Sequence, residues 1–522
     1  MSEKKLKNLS DLGVNLHNDH KIPVTRREFL TSGLIAVSAF GMAPALLLNS
    51  KNANALDEVA IGGVGFLCFE GAGGMNIAGG NVMVGFEADE EQESFGKVSA
   101  PTDYILLGLP PSMHPSKQGM LNKDYGLVFH SSSGILAGLN EVITDEAIKD
   151  GIDGIIICGR TADDSADNPI NVAFQIQRSG AKGKLVQLIG NTGTVTGARS
   201  PAIATQIKSE LRASRITNFQ EGAGLLSIGA DALNPNFLNL AGEGGTKRIQ
   251  SFLSSITGLS KIRLDSYVNA ELESKAILNS QNSGKEVFKK FSPNALNPTN
   301  DPNALLKLQN AFGANGNGVM NEEIAAIANL VTERIAGAGS ITVGGCDYHT
   351  GNASVGQNKD KEIGRYIGKS IKLAALKGQN LFIHLYTDGG VGGDNAGTTD
   401  DTVAGAGRVN WAGDNGTTSS QICIVYKHNH KRSFMGPLLL SGKTRQVGYF
   451  KQGGGINLSS TSVANSTDQM WKAVTLNYLA ATSAAQPDGV IADVKKRFAE
   501  LFPSETLPPD SEKLIRFKSL IV

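Results

Sequence analysis

Short, continuous runs of apolar residues recur along the chain and predict β-strands that are buried on both faces. Strands covered by helices on both sides are apolar throughout, whereas a strand with one face in solvent alternates apolar and polar residues. β-Branched and aromatic side chains are frequent in these runs, as is typical of strands. The runs span residues 64–70, 152–159, 184–190, 341–346, 381–387 and 421–426.

Amphipathic helices are predicted between these runs. Segments 322–336, 363–377 and 466–481 place apolar residues three and four positions apart, which is the spacing of one helix face. The second segment lies between two predicted strands, as a crossover helix that joins parallel strands must. This alternation predicts an α/β fold, a three-layer α/β/α sandwich with a mainly parallel sheet.

Composition divides the chain into three parts. Residues 205–335 combine helical patterns with polar loop material and predict a helix-rich insertion or cap. Residues 56–204 and 336–522 carry the predicted strands and form the α/β core. Residues 1–55 differ from both and have the features of a leader.

The leader resembles an export signal. Arg26 and Arg27 precede an uncharged apolar stretch at 34–48, and an Ala-Asn-Ala cleavage site follows at 53–55. Paired arginines predict transport by the twin-arginine translocase, so the protein is expected to be periplasmic or secreted. Two alternatives remain open: an ordinary helix that begins with two arginines, and an uncleaved leader that serves as a membrane anchor. No later segment has about 18 consecutive apolar residues, so no further transmembrane span is expected.

Charge and cysteine placement narrow the possible functions. Lys plus Arg and Asp plus Glu both number 49 in 522 residues, so no basic field favours nucleic acid. The cysteines lie within or at the end of apolar runs, without a Cys-x-x-Cys pair. This favours small buried thiols over zinc–thiolate ligation, although an exported protein can also hold disulfides. The cysteines are Cys68, Cys158, Cys346 and Cys423.

Polar and glycine-rich segments follow the predicted strands. In an open α/β sheet, ligands bind beyond the carboxyl ends of the strands. Glycines at such ends let backbone N–H groups approach an anion. The polar residues that are candidates for this rim are Glu70, Asn76, His130, Asp347, Asp388, Asp414 and Asn415.

Asp347 and His349 form the most informative pair. If the strand continued through them, its period of two would place both side chains on one face, where they would share a metal ion. A carboxylate with an imidazole suits zinc, manganese or iron better than calcium. Asp388 ends the next strand and adds a second carboxylate, with Asp414 as a further ligand. The alternative is that the pair caps a turn.

Other polar residues have weaker assignments. His130 is either a rim residue or a hydrogen-bonded core histidine. Ser131 and Thr417 are candidates for a nucleophile, but neither lies in a Gly-x-Ser-x-Gly elbow.

Several segments together resemble a known family. The leader, GAGGMNIAGGN at 71–81, GGCDYHTG at 344–351 and Gly-Asp-Asn at 413–415 are similar to the domain-of-unknown-function 1501 proteins. GLVFHSSSG at 126–134 and VGYF at 447–450 are similar to a divergent exported set among them. The likeness extends over most of residues 60–522. That family in turn resembles the alkaline phosphatase and sulfatase superfamily.

The resemblance implies metal-dependent hydrolysis of phosphate or sulfate esters at the strand ends of an α/β/α sandwich. The family's Asp-Thr-His corresponds to Asp347-Tyr348-His349, which retains both ligand types. A divalent metal such as zinc or manganese is the implied cofactor.

This sequence departs from the family pattern at three positions. Gly389 stands where a histidine usually follows the strand-end aspartate, and Asn415 replaces the histidine of a late Asp-His pair. Asn76 replaces an early carboxylate, for which Glu70 is a substitute. Two functions are therefore consistent with the resemblance: an exported metal-dependent ester hydrolase, or a non-catalytic envelope protein that retains the fold with a degenerate site.

Overall fold

The structure is a computed structural model that describes most of the predicted α/β core. The described residues are 63–86, 100–161, 172–183, 186–191, 213–224, 297–348 and 351–522. The leader with Arg26 and Arg27, most of the predicted insertion at 205–335, and His349 lie outside these ranges.

The strands occupy most of the apolar runs and several short hairpins. They are β1 (Gly65–Gly71), β2 (Leu121–Asn122), β3 (Phe129–His130), β4 (Ile152–Cys158), β5 (Val186–Gly190), β6 (Ser214–Arg215), β7 (Ala314–Asn315), β8 (Gly318–Val319), β9 (Ala336–Val343), β10 (Leu381–Thr387), β11 (Val391–Gly393), β12 (Thr399–Asp400), β13 (Arg408–Val409), β14 (Trp411–Asp414), β15 (Ser420–Tyr426) and β16 (Gln446–Val447).

Helices lie between and after these strands along the chain. They are α1 (Gly134–Val142), α2 (Glu146–Asp150), α3 (Ala173–Arg178), α4 (Phe219–Gly224), α5 (Pro302–Phe312), α6 (Glu322–Thr332), α7 (Ala353–Leu376), α8 (Arg432–Met435), α9 (Thr467–Ala481), α10 (Val490–Leu501) and α11 (Ser511–Leu514), with 3-10 turns at Pro111–Met113 and Pro298–Asn300.

One eight-stranded sheet lies at the centre of the fold, in the order β16-β4-β15-β10-β1-β9-β5-β6. β15 runs antiparallel to both of its neighbours, and the other pairs in the sheet are parallel. The sheet is therefore mainly parallel, as the alternation of strands and helices predicted.

Helices cover both faces of this sheet. On one face, residues of α1, α6 and α7 form a core with Leu67 and Ile383, and on the other, residues of α3, α9 and α10 form a core with Phe66 and Phe382. Every residue of β1, β4 and β10 is buried. The three-layer α/β/α architecture is thereby confirmed, and its cause is the burial on both faces that continuous apolar runs indicate.

The observed bounds of helices and strands agree best with the predicted ones where the apolar run is uninterrupted. β10 has the predicted limits, and β15 and α9 each differ from prediction by one residue at one end. α7 begins at Ala353 rather than at 363, and α6 ends at Thr332 rather than at 336. α6, within the predicted insertion, packs directly on β1 and β9, so this helix is part of a covering layer.

The strand predicted at 341–346 is the clearest error. β9 begins at Ala336 and ends at Val343, and Gly345 then turns the chain with a φ of 79°. Small residues at its start allow close packing: a Cβ on Gly339 would lie 2.8 Å from Ile327 and 2.9 Å from Leu67. Asp347 is therefore outside the strand, and the two-residue strand period does not govern its direction.

Two further expectations concern buried thiols and membrane spans. All four cysteines are free and buried, as their apolar surroundings predicted. Across the described ranges, no helix has both the length and the apolar character that crossing a bilayer requires.

Candidate functional site

The carboxyl ends of three neighbouring strands meet at one edge of the sheet, which we call the carboxyl edge. Gly71 of β1 lies opposite Thr387 of β10 and Val343 of β9. The segments that leave these strands therefore start side by side, as parallel strands require. β15 runs the other way, so its first residue, Ser420, lies opposite Cys158 at the end of β4.

The glycine-rich loop after β1 folds into the protein. Ala72 N–H donates to the Val343 carbonyl at 3.0 Å, and Met75 N–H donates to the Thr387 hydroxyl at 2.9 Å. Gly73 N–H donates to Asp388 Oδ1 at 2.8 Å. The expectation that this loop offers its N–H groups to an anion is wrong at these three positions, because the neighbouring strands already use the donors.

Thr387 fastens this loop to the sheet, and replacing it with valine is expected to destabilise the fold. Its buried hydroxyl accepts from Met75 N–H and lies 2.9 Å from the Gly71 carbonyl and 2.7 Å from the Gly389 carbonyl. Thr387→Val removes the acceptor of Met75 N–H and should lower the free energy of unfolding by about 2 kcal/mol. Urea denaturation measures it, with Thr399→Val at an exposed position as the control. Equal effects of the two substitutions would contradict the role of the hydroxyl.

Asp347 and Asp388 meet around Gly73. Asp388 is 7% exposed, and its Oδ1 accepts the N–H groups of Gly73 at 2.8 Å and Gly389 at 3.0 Å. A Cβ on Gly73 would lie 3.0 Å from Asp347 N and 3.1 Å from Asp347 Cβ, so Asp347 packs against the same glycine. Asp347 itself is exposed. The carboxyl edge thus brings together a solvent-facing carboxylate and a largely buried one.

Asp414 and Asn415 pair with the chain that continues from β10 beyond Asp388. Exposed Asp414 pairs with Val391, and Asn415 N–H donates to the Gly390 carbonyl at 2.9 Å. Asn415 Oδ1 accepts from the N–H of Thr417 at 3.0 Å and from its hydroxyl at 2.8 Å. The Thr417 hydroxyl is therefore a donor within a turn, and its partner is an amide that cannot act as a base.

Glu70 is part of a buried polar chain across the sheet. It is 3% exposed, and it accepts the Thr342 hydroxyl at 2.6 Å. The Asn191 side chain bonds both backbone groups of Thr342, at 2.9 and 3.0 Å. The Glu70–Thr342 hydrogen bond thus joins β1 to β9. The bonds between Asn191 and Thr342 join β9 to the residue that follows β5.

The predicted metal ligands are only partly assembled within the described ranges. No three or more His, Cys, Asp or Glu side chains are grouped there so as to hold a metal ion. Asp347, Asp388 and Asp414 therefore do not form a three-carboxylate centre by themselves. His349, the predicted imidazole ligand, lies outside the described residues.

His130 is a core histidine and does not lie at an open rim. It is fully buried, and its Nδ1 lies 2.7 Å from Ser132 Oγ and accepts Ser132 N–H at 3.1 Å. Nε2 lies 3.0 Å from the Met113 carbonyl, which places the proton on Nε2. Burial lowers the pKa of His130 to about 4, so the ring is neutral at pH 7. The neighbouring Ser131 is exposed in the turn after β3, with its hydroxyl beside the Met120 sulfur.

Asn76 lies inside the protein beside a buried arginine. Asn76 is 1% exposed and Arg408 is fully buried. Neither the Asn76 amide nor any guanidinium nitrogen of Arg408 has a hydrogen-bond partner among the described residues. A Cβ on Gly80 would collide with Arg408 Nη2 and lie 2.5 Å from Asn76 Oδ1, so both side chains pack on one glycine. The guanidinium lies 5.8 Å from the centre of the Trp411 ring.

Asp360 provides negative charge near this arginine. It is fully buried, and its carboxylate accepts from Asn81 Nδ2 at 2.7 Å and from the Tyr348 hydroxyl at 2.8 Å. Burial raises the pKa of Asp360 to about 6, although the Arg408 charge and the two hydrogen bonds oppose that rise. Tyr348, from the DYHTG segment, therefore serves an internal network and is not a ligand.

The sequence contains one signal for this network. Asp360 precedes Ile363, Gly364 and Ile367 by three, four and seven residues, so it lies on the buried stripe of α7. The helix was predicted to begin at 363, which left Asp360 outside it. Arg408 has no comparable signal, because the segment around it has no helical or strand periodicity.

Comparisons with protein-family models, with curated proteins and with solved structures found no match to this chain.

Proposed function

We propose that this protein is an exported hydrolase of phosphate or sulfate esters that uses a divalent metal at the carboxyl edge. The observation that carries the proposal is the meeting of Asp347 and Asp388 around Gly73, at the strand ends where α/β sheets bind ligands. The leader and the DYHTG segment support it from the sequence.

The donor groups fit a divalent ion in type. Asp347 offers an exposed carboxylate, and Asp388 lies beside it. His349 follows Asp347 by two positions and would add the imidazole that zinc or manganese accepts. A bound divalent ion would polarise an ester oxygen or lower the pKa of a coordinated water. The protein's own contribution is positional, since the hydrogen bonds from Gly73 and Gly389 hold the Asp388 carboxylate in place.

A second candidate function is a non-catalytic envelope protein with a degenerate site. A specific observation favours it: Gly73 N–H donates to Asp388 Oδ1, and Met75 N–H donates to the Thr387 hydroxyl. These groups of the β1 loop and the strand end therefore already have structural partners. A hydroxyl beside a general base is the usual sign of an activated nucleophile, and the Thr417 hydroxyl donates to an amide oxygen instead.

Metal content is expected to distinguish the two functions. Protein purified without an affinity-tag metal should contain stoichiometric zinc or manganese, and Asp347→Ala should lower the metal affinity and the ester-hydrolysis rate by about 10-fold or more. Elemental analysis and a panel of phosphate and sulfate esters provide the measurements. Asp401→Ala, at another exposed aspartate, is the matched control and should change neither.

Two results would reject the hydrolase. One is a folded wild-type protein that contains only traces of metal and cleaves no ester. The other is metal and activity that survive Asp347→Ala unchanged. The first result would favour the non-catalytic function instead.

A further inference from the structure

Two large apolar side chains project from the edge of the sheet opposite the carboxyl edge. Phe434 is 86% exposed and Met435 is 58% exposed, and both belong to the short helix α8. We call these two residues the Phe-Met tip. Adjacent exposed side chains of this size are unusual on a soluble surface and indicate an interaction site.

The tip is held outward by an anchored arginine. Arg432, which begins α8, donates to the backbone carbonyls of Lys123 at 3.2 Å, Asp124 at 3.1 Å, Lys149 at 2.5 Å and Ile152 at 2.8 Å. These bonds fix the base of α8 to the start of β4 and to the segments beside it. The exposure of Phe434 and Met435 therefore follows from a fixed backbone position.

Cationic side chains lie around the tip. Lys431 is exposed directly before α8, and Lys518 Nζ donates to the Pro437 carbonyl at 3.2 Å, two residues after Met435. Burial and the nearby Lys518 charge both lower the pKa of Lys427, so the two lysines lie close together. The acidic groups whose charges act on Arg432 are Asp153, Asp150 and Asp124. Asp153 is buried and also pairs with Arg445, at 3.0 Å. Apolar side chains with lysines beside them match the interface of an anionic bilayer.

The N-terminal chain enters the fold at the same edge. Gly65, the first residue of β1, donates its N–H to the Asn380 carbonyl at 3.2 Å, and His428 N–H donates to Asn380 Oδ1 at 2.9 Å. One asparagine thus links the start of β1 to the segment that leads into α8. Residues 1–62, which include the apolar stretch at 34–48, precede this point.

We propose that the Phe-Met tip inserts into the surface of an anionic lipid bilayer, with Lys431 and Lys518 on the headgroups. The carboxyl edge, at the other end of the strands, then faces away from the bilayer. The exposed carboxylate of Asp347 remains open to solution in this orientation. The arrangement is independent of whether the leader is cleaved, because the tip, its lysines and the groups that anchor Arg432 all lie outside residues 1–55.

Local fluorescence in the full-length chain tests this insertion. Phe434→Trp places an indole at the tip, and Val403→Trp places one at a fully exposed position in the segment beyond the carboxyl end of β10. Both variants share the leader and the native Trp411 and Trp471, which are 6% and 8% exposed. The measurement is quenching by vesicles of phosphatidylglycerol and phosphatidylcholine with brominated acyl chains.

The Phe434→Trp variant should show a blue shift and strong quenching that Val403→Trp lacks. The effect should weaken with vesicles of phosphatidylcholine alone, at high salt, and when Lys431→Glu and Lys518→Glu are added, since the attraction to anionic lipid is electrostatic. Absence of quenching at position 434, or equal quenching at both positions, would overturn the proposal. Equal quenching by anionic vesicles and by vesicles of phosphatidylcholine alone would contradict the role of the two lysines.

Discussion

Replacing Gly364 with alanine is expected to destabilise the protein by about 2 kcal/mol, although alanine is the better helix former. An added Cβ would collide with the Ile135 carbonyl and lie 2.9 Å from Ile135 Cα, because α7 crosses α1 at backbone contact distance. Gly138 of α1 makes the reciprocal approach, with an added Cβ 2.7 Å from Arg365 N. Alanine gains about 1 kcal/mol in helix propensity. Overpacking against backbone costs about 1–3 kcal/mol or more and prevails, since the helices must move apart.

Chemical denaturation of matched variants measures this effect. Gly368→Ala lies one turn further along α7, where the nearest atom is the Val142 side chain at 3.1 Å. This contact, with Val142 Cβ, is relieved by a shift of only a few tenths of an ångström, so the control should cost well under half as much. Equal stability of the Gly364→Ala and wild-type proteins would show that the two helices are not in backbone contact.

The second large effect is the pH dependence of stability caused by Asp360. Burial raises its pKa in the folded protein to about 6, against an ordinary value of 3.8. Between these two values the folded state holds a proton that the unfolded chain has released. The stabilisation that comes from the protonated Asp360 carboxyl is therefore complete below about pH 4 and is lost as the pH rises through about 6. The pKa difference corresponds to about 3 kcal/mol.

Asp360→Asn removes this titration and isolates it from all other groups. The free energy of unfolding of the wild type, minus that of the variant, should fall by about 3 kcal/mol between pH 4 and pH 7. Urea denaturation of both proteins across this range provides the measurement. A flat difference, or one of opposite sign, would mean that the carboxylate is not buried as described.

Arg408→Met tests the cause of the Asp360 pKa. The Arg408 charge favours the ionised carboxylate, so its removal should raise the pKa of Asp360 further. The upper end of the pH window of stability loss should then extend above pH 6, and its lower end should stay near pH 4, where the unfolded chain sets it. A window that stays in place would show that Arg408 is too distant to act on Asp360.

The segments that became strands were largely predictable because burial on both faces requires a continuous apolar run. β10 has its predicted limits, Leu381–Thr387, and β4, β5 and β15 lie within two residues of theirs. β9 was misplaced because its first half consists of alanine and glycine, which carry no strand signal. Only the approach of α6 and β1 makes that half a strand, through contacts that glycine alone permits.

The candidate site was predictable in outline. Strand order alone brings Asp347 and Asp388 to one edge, because parallel neighbours end together. Asn76 follows β1 and His130 ends β3, yet both lie in the interior. Thr387 and Asp388 bond the loop that contains Asn76, and His130 bonds Asn81 and Met113. No local pattern encodes either path.

The sequence by itself determined the α/β layering, the burial of the cysteines and the edge at which the carboxylates collect, since each depends on local hydrophobic pattern. The tertiary structure decided which polar groups face solvent and which pair internally. It placed Arg408 and Asp360 in one buried network, 48 positions apart by their numbers in the chain. It also directed Phe434 and Met435 outward at the opposite edge. Such outcomes depend on contacts between distant segments, which only the folded chain brings together.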